Sequence, residues 1–182
     1  MKEFKEFPKI PRYSRECFVT EKLDGTNASI YICKEDGEFL VGSRTRWITP
    51  ENDNAGFAAW AYKNKEELLG LGFGHHFGEW WGSHIQRGYG LVNGDKRFSL
   101  FNVSKWSDDS VRPKCCSVVP LLWRGNMDDL DCDKILEDLK THGSYAVPFM
   151  NPEGIVIFHT AGNLMFKKTI EKDETPKTLT KQ

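Results

Sequence analysis

The chain has no apolar run long enough to cross a membrane, so nothing in it reads as a transmembrane helix. Its N-terminus, "MKEFKEFPKIPRYSRE", is too charged and too broken by proline to be a signal peptide. A cytoplasmic setting is the resulting expectation. CxxC spacing is also missing: Cys17, Cys33, Cys115, Cys116 and Cys132 make an odd set, and the adjacent Cys115 and Cys116 are awkward disulfide partners. A reducing compartment suits them. Cys115, Cys116 and Cys132, combined with His75, His76 and His84, match no finger or ribbon spacing, so no structural zinc is expected. No Gly-Lys-Ser/Thr follows the glycines around "HFGEWWG", which excludes a Walker loop. Net charge is scarce too, at −1, and this argues against an indiscriminate nucleic-acid binder. Only residues 1–15 lean basic, with Lys2, Lys5, Lys9, Arg12 and Arg15 against Glu3 and Glu6, five less two or +3. A phosphate-tracking face there competes with the plainer reading of solvated charge.

What is present is ordinary soluble composition, 39% apolar and 28% charged, rich in Phe (twelve) and Trp (six). At 182 residues the chain can bury a real core and fits one domain, with no internal repeat or linker to divide it. "ASIYI" alternates as a strand, "KEDGE" supplies an Asp-Gly turn, and "FLVGSR" returns. Asn52, Asp53 and Asn54 precede a helix through "GFAAWAYKNKEELLG", ending near Gly70. "HHFGEWW", "RFSLFNVSKW" and "SVVPLLW" read as aromatic-rich strands. A second helix is predicted through "DDLDCDKILEDLKTHG", stopping at Gly143, and "GIVIFHT" with "NLMFKKTI" predicts a hairpin around "AGN". The closing "EKDETPKTLTKQ", 171–182, reads as a polar tail. The fold class expected is α+β, mainly antiparallel sheets with a few flanking helices, in one domain over 1–182.

Six short motifs carry chemistry-bearing residues on strands or at strand ends. Lys22 in "EKLDG" precedes an Asp-Gly turn whose backbone N–H groups suit phosphate oxygens. As a nucleophile it needs desolvation or cationic neighbours, and on its own a plain hairpin lysine explains it better. Arg44, in "VGSRT", ends a returning strand that can bring it back near Lys22, where a guanidinium grips phosphate in a fork. A surface salt bridge is its plain alternative. Glu79, in "HFGEWWG", sits among aromatics and requires a partner, either a ribose hydroxyl, a hydrated metal or an internal ion pair. Phe98 and Phe101, in "RFSLFNV", fall on opposite faces of a strand, one for the core and the other free to stack on a base. Glu153, in "NPEGIVI", stands just ahead of a buried strand, where a metal-facing carboxylate or a solvent turn residue would fit. Lys167 and Lys168 point to opposite faces, so only one can look into a site.

In this order, Lys-x-Asp-Gly, Ser-Arg, Gly-Glu, Phe-Asn, Glu-Gly-x-Val and Lys, the set resembles the covalent nucleotidyltransferases, the polynucleotide ligases and mRNA capping enzymes, over residues 19–170. Asn27, where DNA ligases commonly carry arginine, and "FGEWWG" make it similar to the RNA ligases related to phage RNA ligase 2. The resemblance implies an adenylation domain using ATP with Mg²⁺ or Mn²⁺. Lys22 would attack the α-phosphate and become lysyl-AMP, and AMP would pass to a 5′-phosphate end before sealing to a 3′-hydroxyl. It further implies that Arg44 holds a phosphate or the substrate end, Glu79 the ribose and Phe101 the adenine. Glu153, helped by Asp24, would organise the metal, Lys167 would contact the α-phosphate, and Asn27 would read the substrate end. RNA ends are the implied partner, with DNA, GTP-dependent capping, or end binding without sealing as alternatives. The chain departs from the family pattern in three places. Thr169 replaces the second lysine of a usual Lys-x-Lys pair, Asn102 stands where Asp is common, and no C-terminal OB or helical domain follows the last motif. An accessory subunit could supply such a domain.

Overall fold

Alternation of apolar and polar residues builds most of this protein. The computed structural model describes residues 3–171 and 173. The polar tail therefore lies outside the described residues except for Glu171 and Asp173, as do Met1 and Lys2 of the basic segment. The strands are β1 (Glu16–Lys22), β2 (Thr26–Ile32), β3 (Phe39–Gly42), β4 (Trp47–Ile48), β5 (Gly74–Gly82), β6 (Lys96–Leu100), β7 (Cys116–Val118), β8 (Leu121–Asn126), β9 (Gly154–His159) and β10 (Leu164–Thr169). The α-helices are α1 (Phe57–Lys63), α2 (Lys65–Leu68), α3 (Val103–Trp106) and α4 (Cys132–His142). One sheet runs β10-β9-β1-β8, antiparallel throughout. The other runs β4-β3-β2-β5-β6-β7, antiparallel except where β7 lies parallel to β6. The class is α+β with antiparallel sheets dominant, and no helix among the described residues is long and apolar enough to cross a membrane.

Three apolar clusters hold the layers. On β2 the even positions Ala28, Ile30 and Ile32 pack with Trp80, Phe98 and α1 on the outer face of the six-stranded sheet. Val19, Ile155 and Ile157 of the four-stranded sheet pack on Leu136 and Leu139 of α4. Phe18, Leu23, Trp81, Tyr89, Val103 and Val119 join the two sheets face to face. Each such buried aliphatic or Phe side chain contributes about 1.5–3 kcal/mol, so this third cluster fixes the spacing of the cleft above it.

Three expected elements break where local chemistry dictates. The single helix through 56–70 divides at Asn64, whose side-chain amide donates to the Trp60 carbonyl at 2.8 Å and competes with the helical ladder. Its entry is held by Asp53, which accepts from the N–H groups of Ala58 (2.7 Å) and Ala59 (3.0 Å). "RFSLFNVSKW" stops being strand at Leu100, because Asn102 accepts from the Lys105 N–H at 3.1 Å and caps α3. "SVVPLLW" splits at Val119-Pro120, since proline has no N–H for a ladder. Its halves, β7 and β8, enter different sheets.

Candidate active site

The Lys-x-Asp-Gly segment is not a hairpin. β1 ends at Lys22 in one sheet and β2 begins at Thr26 in the other, so residues 23–25 carry the chain across the cleft. Leu23 is buried in the inter-sheet cluster and anchors the crossing. Gly25 then passes so close to β5 that a Cβ would lie 2.4 Å from the Trp80 carbonyl oxygen and 2.8 Å from the Trp81 Cβ. Gly25→Ala is expected to lower stability by about 1–3 kcal/mol through this overlap, read as a lower urea midpoint. An unchanged midpoint would show that the crossing can slide.

Lys22 pairs across the ladder with Gly154, which places it beside the residue that opens β9. Its Nζ donates to Glu153 Oε2 at 2.6 Å, and both side chains are largely withdrawn from water. From the opposite sheet, Glu79 reaches the same turn. The β2–β5 register sets Glu79 against Asn27. Its Oε1 accepts from the Gly25 N–H at 3.1 Å and its Oε2 from Asn27 Nδ2 at 3.2 Å. Only 8% of Glu79 is exposed. Burial pushes its carboxyl up to about 7; the charge of Lys22 and the Gly25 N–H pull the other way, while Glu153 and Asp24 reinforce the rise.

A second group of residues, not singled out in the sequence, completes the cluster. Arg87 donates from Nε to Asp24 Oδ2 at 3.1 Å, and from Nη1 to Asn151 at both Oδ1 (2.7 Å) and the carbonyl oxygen (3.1 Å). One guanidinium thereby ties the Lys22 crossing to the loop that delivers Glu153. Tyr89 Oη accepts from the Asp24 N–H at 2.9 Å, and burial drives its phenol well above the ordinary tyrosine range. The sequence signal was "QRGYG": a lone arginine beside a Gly-aromatic-Gly step. Its meaning depends on Tyr89 adopting φ 50°, which a flanking pair of glycines permits but does not announce.

The remaining candidates lie around this cluster. Phe101 follows β6, and its N–H donates to the Phe77 carbonyl at 3.0 Å. It sits on the cleft side against the inter-sheet cluster, while Phe98 is fully buried on the other face. Lys167 pairs with Val156, and Val156 with Thr20, so Lys167 shares the Lys22 face of its sheet and is exposed there. Lys168 takes the opposite face and pairs with Asp133 of α4. Arg44 is exposed in the turn closed by the Ser43 N–H on the Arg46 carbonyl at 2.8 Å. Among the described residues no hydrogen bond or ion pair joins Arg44, Phe101 or Lys167 to the cluster of Lys22, Asp24, Asn27, Glu79 and Glu153.

No group of three or more His, Cys, Asp or Glu among the described residues is arranged to hold a metal. Mg²⁺ characteristically uses one or two carboxylates and takes its other ligands from water and substrate phosphates. Glu153 and Asp24, hard oxygen donors flanking the Lys22 crossing, have that chemistry.

The family model described as RNA ligase matches residues 15–170. No curated protein sequence matches the chain. Among solved structures, Naegleria gruberi RNA ligase is similar in fold. A glutamate-to-alanine mutant with ATP and Mn gives a TM-score of 0.62 at 22% identity, covering 86% of this chain and 50% of that one. A lysine-to-methionine mutant with AMP and Mn gives 0.61 at 22% identity, with coverages of 86% and 50%. The same ligase with PPi gives 0.57 at 23% identity, again covering 86% and 50%. The chain thus spans about half the length of the ligase it resembles. With its two-sheet fold matched and all but the ends of its sequence recognised by one family model, the chain belongs to the RNA ligase family.

Proposed function

We propose that this protein is an ATP-dependent RNA ligase-type enzyme that forms a covalent lysyl-AMP at Lys22, transfers AMP to a 5′-phosphate RNA end and joins that end to a 3′-hydroxyl. The observation that carries the reading is the convergence on one lysine: Glu153 at 2.6 Å, with Glu79 and Arg87 bracing the Asp24-Gly25 crossing beside it.

In the first step the Lys22 ammonium passes one proton to Glu153 Oε2, the nearest acceptor, and the neutral amine bonds the α-phosphorus while the bond from that phosphorus to the pyrophosphate oxygen breaks; the second proton of the new N–P nitrogen leaves with the pyrophosphate. Glu153 and Asp24 would hold Mg²⁺ or Mn²⁺, which would supply charge neutralisation to the phosphates. Lys167, on the Lys22 face, meets negative charge developing on the α-phosphate, and Phe101 offers a ring to the adenine. Glu79 takes the ribose, sharing its carboxylate with Gly25 and Asn27. Asn27, with Arg44 at the cleft margin, contacts the polynucleotide end. Positioning and charge neutralisation are most of what phosphoryl transfer asks of a protein, and these residues supply both.

RNA rather than DNA is supported by Asn27 after the Asp-Gly turn and by the family match. The five free cysteines support work in a reducing, cytoplasmic setting. Because relatives are about twice as long, sealing draws on a further domain, in cis or from an accessory subunit.

The test is incubation of purified protein with Mg²⁺ and α-labelled ATP, with GTP in parallel, followed by denaturation. Label retained from ATP supports the reading. Label retained from GTP alone moves it to capping chemistry, and nucleotide binding without an adduct to an end-binding module. Sealing of nicked RNA against nicked DNA duplexes then identifies the strand.

A further inference from the structure

The cleft face of the six-stranded sheet continues beyond Glu79 as a strip of exposed rings. On β5 the odd residues His75, Phe77 and Glu79 share a face; on β2 Tyr31 stands directly opposite His75, as Asn27 stands opposite Glu79. Such positions would normally be polar if nothing covered them. Instead Phe77 is 57% exposed and Trp47 49% exposed. Trp47 reaches this face from β4 by lying over Gly42, where a Cβ would come within 3.3 Å of its ring. The indole is thus packed against the sheet backbone while about half of the residue stays exposed.

The rings are already ordered. His75 and Phe77 are stacked at 5.6 Å and 4°, His75 and Trp47 at 6.2 Å and 14°, and Tyr31 leans on His75 at 4.3 Å. Nearly parallel rings, Phe77 and Trp47 among them about half exposed, offer stacking surface to unstacked bases at little ordering cost. The turn entering Trp47 carries Arg44 and Arg46, both exposed, so positive charge borders the strip on the β4 side. Beyond Tyr31 the β2–β3 tip is acidic, with Glu35 and Asp36, which steers a polyanion across the strip toward the arginines.

We propose that Tyr31, Trp47, His75 and Phe77 form a stacking platform for a single-stranded segment of RNA adjoining the end held at Lys22, with Arg44 and Arg46 on its phosphates. Continuity of this face with the Asn27–Glu79 pair, and the flanking arginines, select a polynucleotide over a protein segment. The inference rests on the reading of the Lys22 site as one for a polynucleotide end.

The experiment measures fluorescence anisotropy of a labelled ten-nucleotide oligoadenylate RNA with the full chain, alongside ATP labelling of the wild type. Trp47→Ala is expected to weaken binding about tenfold, the loss of one stacked base. Trp47→Phe restores most of it, which a merely structural defect would not allow. Joint Arg44→Gln and Arg46→Gln should flatten the slope of log affinity against log salt by about one to two. Equal binding by wild type and Trp47→Ala overturns the platform, as does a wild type that labels with AMP yet does not bind the RNA. A wild type that binds RNA through Trp47 but never labels leaves the platform standing and overturns the enzyme reading.

Discussion

Lys22→Ala is expected to abolish the covalent nucleotide labelling proposed for this protein. The proposed reaction needs an amine at the point where β1 meets the cleft, and among the described residues Lys22 is the lysine braced there, by Glu153 at 2.6 Å. Lys167 shares the face but lies one β-sheet row away, beside Val156 and Thr20. The alanine variant also removes one partner of a carboxylate that is only 3% exposed, and breaking such a pair can cost about 3–5 kcal/mol when it is fully buried. A fold defect could then imitate a catalytic one. Lys22→Arg separates the two, because it keeps a cation opposite Glu153 but offers a guanidinium that stays protonated. The expected result is a normal urea midpoint for Lys22→Arg with labelling below detection in both variants. Appreciable labelling of Lys22→Arg, mapped by mass spectrometry to another lysine, would remove Lys22 from the centre of the reaction.

How much of this was legible beforehand depends on the range of the forces involved. Alternation gave β2, the Asp-Gly turn its returning partner β3, aromatic content β5, and the turn around "AGN" the β9–β10 hairpin, because these signals are local to each strand or turn. The placement of Lys167 and Lys168 on opposite faces follows from the same period, and the register bears it out. Helix breaks were less legible: Asn64 and Asn102 act through single side-chain hydrogen bonds that periodicity does not register. The Lys-Leu-Asp-Gly crossing looked like a hairpin because a tight turn and a sheet change use the same residues; pairing partners 130 residues away decide between them. Arg87 and Asn151 were invisible for the same reason. Their contact joins two loops from different sheets, and nothing local to either predicts it. The aromatic strip was half visible: "HHFGEWW" was plainly aromatic, but which rings stay exposed depended on Trp47 arriving over Gly42.

Between pH 5 and 8 the wild type is expected to lose about 2.5 kcal/mol of stability through Glu79 alone, and Glu79→Gln to lose none of it. The unfolded carboxyl titrates near 4.5 and the folded one at about 7, chiefly because burial disfavours its charge. Folding therefore favours the protonated form. That stabilising contribution is complete below the unfolded value and vanishes as pH rises through the folded one. Glu21, raised by burial beneath the Tyr145 N–H, acts in the same sense, whereas His76, lowered by burial, acts in the opposite one. The difference between wild type and variant at each pH cancels both. Glutamine can still accept from the Gly25 N–H, and Asn27, being exposed, can turn its carbonyl toward the new amide. Urea melts at pH 5, 6, 7 and 8 should give curves that diverge upward through pH 7, the variant being the more stable at pH 8. Parallel curves would mean that Glu79 stays ionised throughout, held by Lys22 more strongly than burial opposes it.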